Sequence, residues 1–170
     1  MSVVNETLKF YYVNTDYADF LRDKRLGDAC VPYTDYPKRK KFFIGIIFQI
    51  EGINYFAPIS SNTDINPAAF CIMDKENVIS TVRVNFMFPV IDDVYKLLDI
   101  QNIKDIRYKR LIEKEYRYCN KFREQIRGLA REIYLKRTSG QMYIGKVYIM
   151  NFKKLEIQAN KWLCCTSDRR

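Results

Sequence analysis

The chain has 170 residues, 48% of them apolar and 29% charged. That balance predicts a single folded domain over 1–170 and excludes a disordered chain. Lysine and arginine outnumber aspartate and glutamate by 29 to 20, a formal charge of +9, which points to an anionic partner such as nucleic acid or a membrane surface. There is no histidine, so imidazole-based nuclease chemistry is excluded and a zinc site disfavoured. The five cysteines (Cys30, Cys71, Cys119, Cys164, Cys165) form no C-x-x-C pair and read as inert thiols of a reducing compartment. No secretory leader pattern opens the sequence, and no run nears the ~18 apolar residues of a membrane span. A cytoplasmic protein is expected.

In chain order, Leu8 to Asn14 is rich in aromatic and β-branched residues and predicts a strand. Asn14 or Thr15 can cap a helix carrying Tyr17, Phe20 and Leu21, with Gly27 as its stop. Residues 28 to 41 read as a loop ending in the basic cluster Lys38-Arg-Lys-Lys41. Phe42 to Glu51 is apolar on both faces, as a central strand is, and Glu51-Gly52 turns it into a hairpin with Ile53 to Ile59. Ser60 to Pro67 is loop. Phe70–Met73 and Ile79–Phe88 follow as strands around a turn at Lys75.

Past Pro89 the pattern turns helical. Asp92 or Asp93 can cap a short helix through Leu98. An apolar stripe of Tyr108, Leu111, Cys119, Phe122, Ile126, Leu129 and Ile133 predicts one long helix from Ile103 to Lys136, with Gly128 as a possible kink. A strand over Tyr143–Met150 and a last helix capped by Asn151 complete the reading. The class is α+β, a mostly antiparallel sheet flanked by helices.

Two surfaces can meet a polyanion. Arg110, Lys114, Arg117 and Lys121 recur at spacings that share one helical face. Lys38, Arg39 and Lys40 adjoin Tyr33 and Tyr36, whose rings can stack on unpaired bases. No phosphate-binding glycine loop and no Gly-x-Ser-x-Gly elbow occurs. One RNA chemistry needs neither imidazole nor metal: the ribose 2′-hydroxyl attacks its own phosphate, and Lys, Tyr and Ser/Thr move protons and hold charge.

The segments Lys9-Phe-Tyr, Tyr17, Lys41-Phe-Phe-Ile-Gly-Ile-Ile, Tyr55-Phe-Ala-Pro-Ile-Ser-Ser, Asn85-Phe-Met-Phe-Pro-Val-Ile-Asp, Tyr108-Lys-Arg and Asn151-Phe-Lys-Lys-Leu-Glu span nearly the whole chain. As a set they resemble the ToxN/AbiQ family, the endoribonuclease toxins of type III toxin–antitoxin systems. The resemblance implies a compact fold similar to the Kid/MazF barrel. It implies RNA cleavage without metal or cofactor, leaving a 2′,3′-cyclic phosphate. It also implies a repeat antitoxin RNA, whose pseudoknots bridge toxin copies into a closed ring, and a role in abortive infection.

By position, Tyr17 matches the family's active-site tyrosine, Lys41 the lysine before the central strand, and Ser60 and Ser61 its hydroxyl pair. The resemblance gives Ser60 or Ser61 the scissile phosphate, Lys41 charge stabilisation or proton transfer, and Tyr17 substrate orientation or stacking. Without it, Tyr17 reads as core, Lys41 as a solvated strand end and the serines as a turn. The family pattern carries a second lysine where this chain has Thr63, and a hydroxyl supplies no such charge. Three readings stay open: Lys38, Arg39 or Lys40 substitutes, Lys41 works alone, or the chain is a catalytically silent RNA-binding protein.

Overall fold

A computed structural model describes residues 6–33 and 44–167. Its strands are β1 (Phe10–Val13), β2 (Ile44–Ile50), β3 (Ile53–Ser60), β4 (Ala69–Asp74), β5 (Asn77–Arg83), β6 (Phe88–Pro89), β7 (Tyr95–Leu97), β8 (Tyr143–Ile144) and β9 (Val147–Tyr148). Its helices are α1 (Thr15–Leu21), α2 (Ile106–Lys121), α3 (Arg123–Thr138) and α4 (Phe152–Ser167). The main sheet runs β4-β5-β3-β2-β1-β7, with β6 also on β3, and every pairing is antiparallel.

The central hairpin forms where the sequence places it. Ile44, Ile46, Phe48 and Ile50 of β2 are buried. Glu51 and Gly52 both take positive φ, 51° and 79°, in the two-residue turn to β3. Gly45 of β2 faces Pro58 of β3. A Cβ there would sit 2.3 Å from the Ala57 carbonyl oxygen and 2.6 Å from the Phe56 ring, so close approach requires glycine. On the outer strand β4 the ladder to β5 slips between Ile72 and Met73.

Helix α1 starts as expected, the Asn14 side chain accepting from the Asp16 and Tyr17 amides. It stops at Leu21 rather than Gly27, because Asp28 N–H takes the Leu21 carbonyl. The segment 22–33 is then held by Arg22, which donates to the Val31 and Pro32 carbonyls at 2.7 Å each. Asp28 ties it to the start of α4, accepting from Tyr148 and from the Asn151 amide, both at 2.8 Å. Helix α4 is capped by Asn151. Glu156 fastens it to the sheet and to α3, one oxygen accepting from Tyr55 at 2.8 Å and Tyr134 at 2.7 Å.

Four expectations are corrected. The sheet is open: no pairing among the described residues joins β4 to β7, so the barrel is not closed. The long helix is two helices, broken at Phe122 (φ −111°, ψ 24°) and not at Gly128. At the break the Phe122 ring packs, tilted, 4.6 Å from Tyr118 one turn before it and 6.2 Å from Phe70 of β4, so the break coincides with a tertiary contact to the sheet. The helix expected before Leu98 is strand β7, which pairs with the free edge of β1; three residues are too few for periodicity to separate strand from helix. In place of the strand expected over Tyr143–Met150, residues 143–148 form the small hairpin β8–β9 around Gly145.

Candidate functional site

Strand β3 ends at Ser60, opposite Thr81 of β5. Beyond it the loop builds itself from side-chain turns. Asn62 N–H donates to Ser60 Oγ at 3.1 Å, Asp64 N–H to Asn62 Oδ1 at 2.9 Å, and Ala68 N–H to Asn66 Oδ1 at 2.9 Å. The loop is also held from the sheet, where Thr81 Oγ1 donates to the Asn62 carbonyl at 2.8 Å. Ser60 is half-buried and accepts one bond, so its own hydroxyl proton remains available. Ser61 and Thr63 are exposed. The site therefore presents three hydroxyls on a fixed loop, able to donate to phosphate oxygens.

Lys41 lies outside the described residues, as do Tyr36, Lys38, Arg39 and Lys40. The described chain resumes at Ile44, in the register that sets Gly45 against Pro58, two residues before Ser60.

The stacking role expected of Tyr17 is corrected. Its ring is fully buried, edge-on to Trp162 at 5.5 Å, and its hydroxyl donates to the Pro89 carbonyl at 2.7 Å. Burial pushes this phenol well above its ordinary range. A ring without exposed surface has no face for a base.

Arg110, Lys114, Arg117 and Lys121 are all exposed on α2. Lys114 pairs with Asp74 of β4, which holds that carboxyl below its usual range. Lys121 lies 5.3 Å from the centre of the Phe122 ring. Arg117 lines a cavity of about 560 Å³ with Lys9, Tyr116 and Glu113. Tyr33 is 62% exposed but one face is taken by the Arg22 guanidinium, 3.8 Å from the ring centre. These cations thus face solvent on α2, apart from the hydroxyl loop in sequence and element.

Sequence reasoning missed Asn62, Thr81 and Arg83. Thr81 links Asn62 to Arg83, whose Nε donates to Thr81 Oγ1 at 3.1 Å. The one signal for Arg83 was a charge inside the apolar run Val82-Arg-Val84. Among the described residues no three of His, Cys, Asp and Glu converge as metal ligands, and no described helix is long and apolar enough to cross a membrane.

The chain is similar to known proteins over most of its length. The endoribonuclease ToxN of Pectobacterium atrosepticum is 28% identical over 123 residues, covering 65% of this chain and 70% of that protein. A solved toxin from a type III toxin–antitoxin system, selectively inhibited by a non-coding RNA pseudoknot, superposes with a TM-score of 0.77 at 25% identity, over 93% of this chain and 99% of that one. A protein of a bacterial antiviral system regulated by a processed non-coding RNA shares the fold, with a TM-score of 0.80 at 24% identity over 90% of this chain and 98% of that one. The family model described as toxin ToxN of type III toxin–antitoxin systems matches residues 9–160. Fold, motif order and this match agree: the chain belongs to the ToxN family of type III toxin–antitoxin toxins.

Proposed function

We propose that this chain, as one domain over 1–170, is an endoribonuclease toxin that acts in the cytoplasm and is held inactive by a repeat pseudoknot RNA. The observation that carries the chemistry is the Ser60 hydroxyl, fixed by Asn62 N–H with its own proton unused, at the sheet end where β2 emerges from the Lys41 segment. A 2′-hydroxyl of bound RNA loses its proton and attacks the adjacent phosphorus. The bond to the 5′-oxygen breaks, and that oxygen takes a proton. The products are a 2′,3′-cyclic phosphate and a 5′-hydroxyl end. Ser60 and Ser61 donate to the non-bridging oxygens, and Lys41 supplies charge or proton transfer. Lys38, Arg39, Lys40 and the α2 cations bind the RNA backbone. Family membership supports the antitoxin RNA that bridges toxin copies into a ring, and the role in abortive infection.

Thr63 favours a second reading, a silent RNA-binding member of the same fold, because it removes a charge. Induction in bacteria separates the two. Growth arrest by the parent that Lys41→Ala relieves supports the nuclease. Arrest only by Thr63→Lys supports the silent form. Purified, folded protein that in chelator neither cuts nor binds any transcript ends both.

A further inference from the structure

Arg83 ends β5 directly behind the hydroxyl loop. It is only 9% exposed, and one terminal guanidinium nitrogen, Nη2, is buried without a hydrogen-bond partner. No carboxylate among the described residues pairs with it. A buried cation without a counter-charge is costly, and cores that need only packing fill such a place with an apolar side chain. What Arg83 does hold is Thr81, at 3.1 Å from Nε. Thr81 holds the Asn62 carbonyl at 2.8 Å, and Asn62 N–H holds Ser60 Oγ at 3.1 Å. Ser60 and Thr81 are also direct partners in the ladder. Three hydrogen bonds therefore run from an uncompensated guanidinium to a serine hydroxyl, in the loop that carries Thr63.

We propose that Arg83 is a positioning residue for phosphodiester cleavage. Through Thr81 it holds the Asn62 carbonyl, and the Asn62 backbone carries that constraint to its N–H and so to the Ser60 hydroxyl. Its unpaired charge, little screened in the sheet, gives the loop the positive field that Thr63 does not supply. A phosphodiester approaching Ser60 and Ser61 is the missing counter-charge. The inference rests on the cleavage reading above and extends it to a residue of β5.

The test uses the full chain, a short oligoribonucleotide, and the same strand with 2′-deoxy nucleotides, which binds but cannot react. Arg83→Met keeps length and removes charge. It is expected to melt at or above the parent's temperature, cut at least about tenfold more slowly, and bind the deoxy strand more weakly. Thr81→Val keeps shape and breaks both links. It is expected to lower kcat about tenfold with KM within about twofold, and Thr81→Ser to restore most of the rate. Thr63→Lys should recover much of the loss in Arg83→Met, with a larger fold-gain in that background than in the parent. Folded Arg83→Met and Thr81→Val proteins that cut like the parent overturn the proposal. So does a loss in Arg83→Met matched by a lower melting temperature, or a Thr63→Lys gain equal in both backgrounds. If the parent binds and does not cut, the cleavage reading fails. The Arg83 proposal then falls as well if Arg83→Met binds the deoxy strand as tightly as the parent.

Discussion

The Tyr17 hydroxyl donates to the Pro89 carbonyl at 2.7 Å, joining α1 to β6 across 72 residues of sequence. That bond makes the tyrosine a strut between two segments that both carry family motifs. Tyr17→Phe should cost about 1 kcal/mol of stability through the lost bond and leave cleavage unchanged once the protein is folded. Tyr17→Ala should cost about 3–5 kcal/mol as a core deletion. Urea denaturation beside a single-turnover cleavage assay checks both. A folded Tyr17→Phe protein that no longer cuts would return the residue to the active site.

Gly45 is fixed by the Phe56 ring and the Ala57 carbonyl. Gly45→Ala should destabilise by about 1–3 kcal/mol, the range for overpacking a core, because backbone stands on one side of the added methyl. A small apolar truncation at Phe56 should relieve only part of this. The comparison is read from melting curves of the single and double variants. Melting of Gly45→Ala at the parent temperature would show that the strands separate freely.

Alkaline pH should unfold the protein through its buried phenols. Burial raises Tyr17, and burial together with Glu156 raises Tyr55. Burial, with Glu115 adding, pushes Tyr108 up to about 12; Tyr148 reaches about 12 through burial and its bond to Asp28. These groups stay neutral in the fold while the unfolded chain ionises near 10. Their contribution is complete below pH 10 and is lost as pH climbs from 10 towards 12. Melting temperatures across pH 8–11 should be flat and then fall, and Tyr108→Phe should soften the fall. With no histidine in the chain, the cleavage rate should show no inflection near the ordinary imidazole pKa of about 6.5.

RNA binding should weaken steeply with salt. Replacing Arg110, Arg117 and Lys121 by alanine should reduce the slope of log affinity against log salt by about 0.7 per lost single-strand phosphate contact. Lys114, engaged by Asp74, should matter less. Anisotropy titrations at several salt concentrations decide it. An unchanged slope would show that RNA does not touch α2.

The strands β2 to β4 were readable because their apolar runs are long and bounded by strong turns such as Glu51-Gly52, whereas the single strand expected over Ile79–Phe88 is split: β5 ends at Arg83, a 3-10 turn covers Val84–Phe86, and β6 pairs with β3 instead. The cap residues Asn14 and Asn151 were readable from local chemistry. What was hidden is tertiary. The helix breaks at Phe122, where the ring meets Phe70 of β4, and no local pattern marks it. Strand β7 exists because β1 offers it an edge. In the site, Ser60 and Ser61 came from motif order, while Arg83 and Thr81 emerged only when β5 was laid beside β3.

The slipped register between Ile72 and Met73 bears on solubility. Strand β4 is an outer strand, and a straight outer strand invites another molecule to add to it. The extra residue, Ile79, sits on β5, and such a bulge bends and twists the ladder that β4 closes, so a neighbouring polypeptide meets no long, straight edge. The sheet edge is thereby a poor template for a second copy of this basic chain.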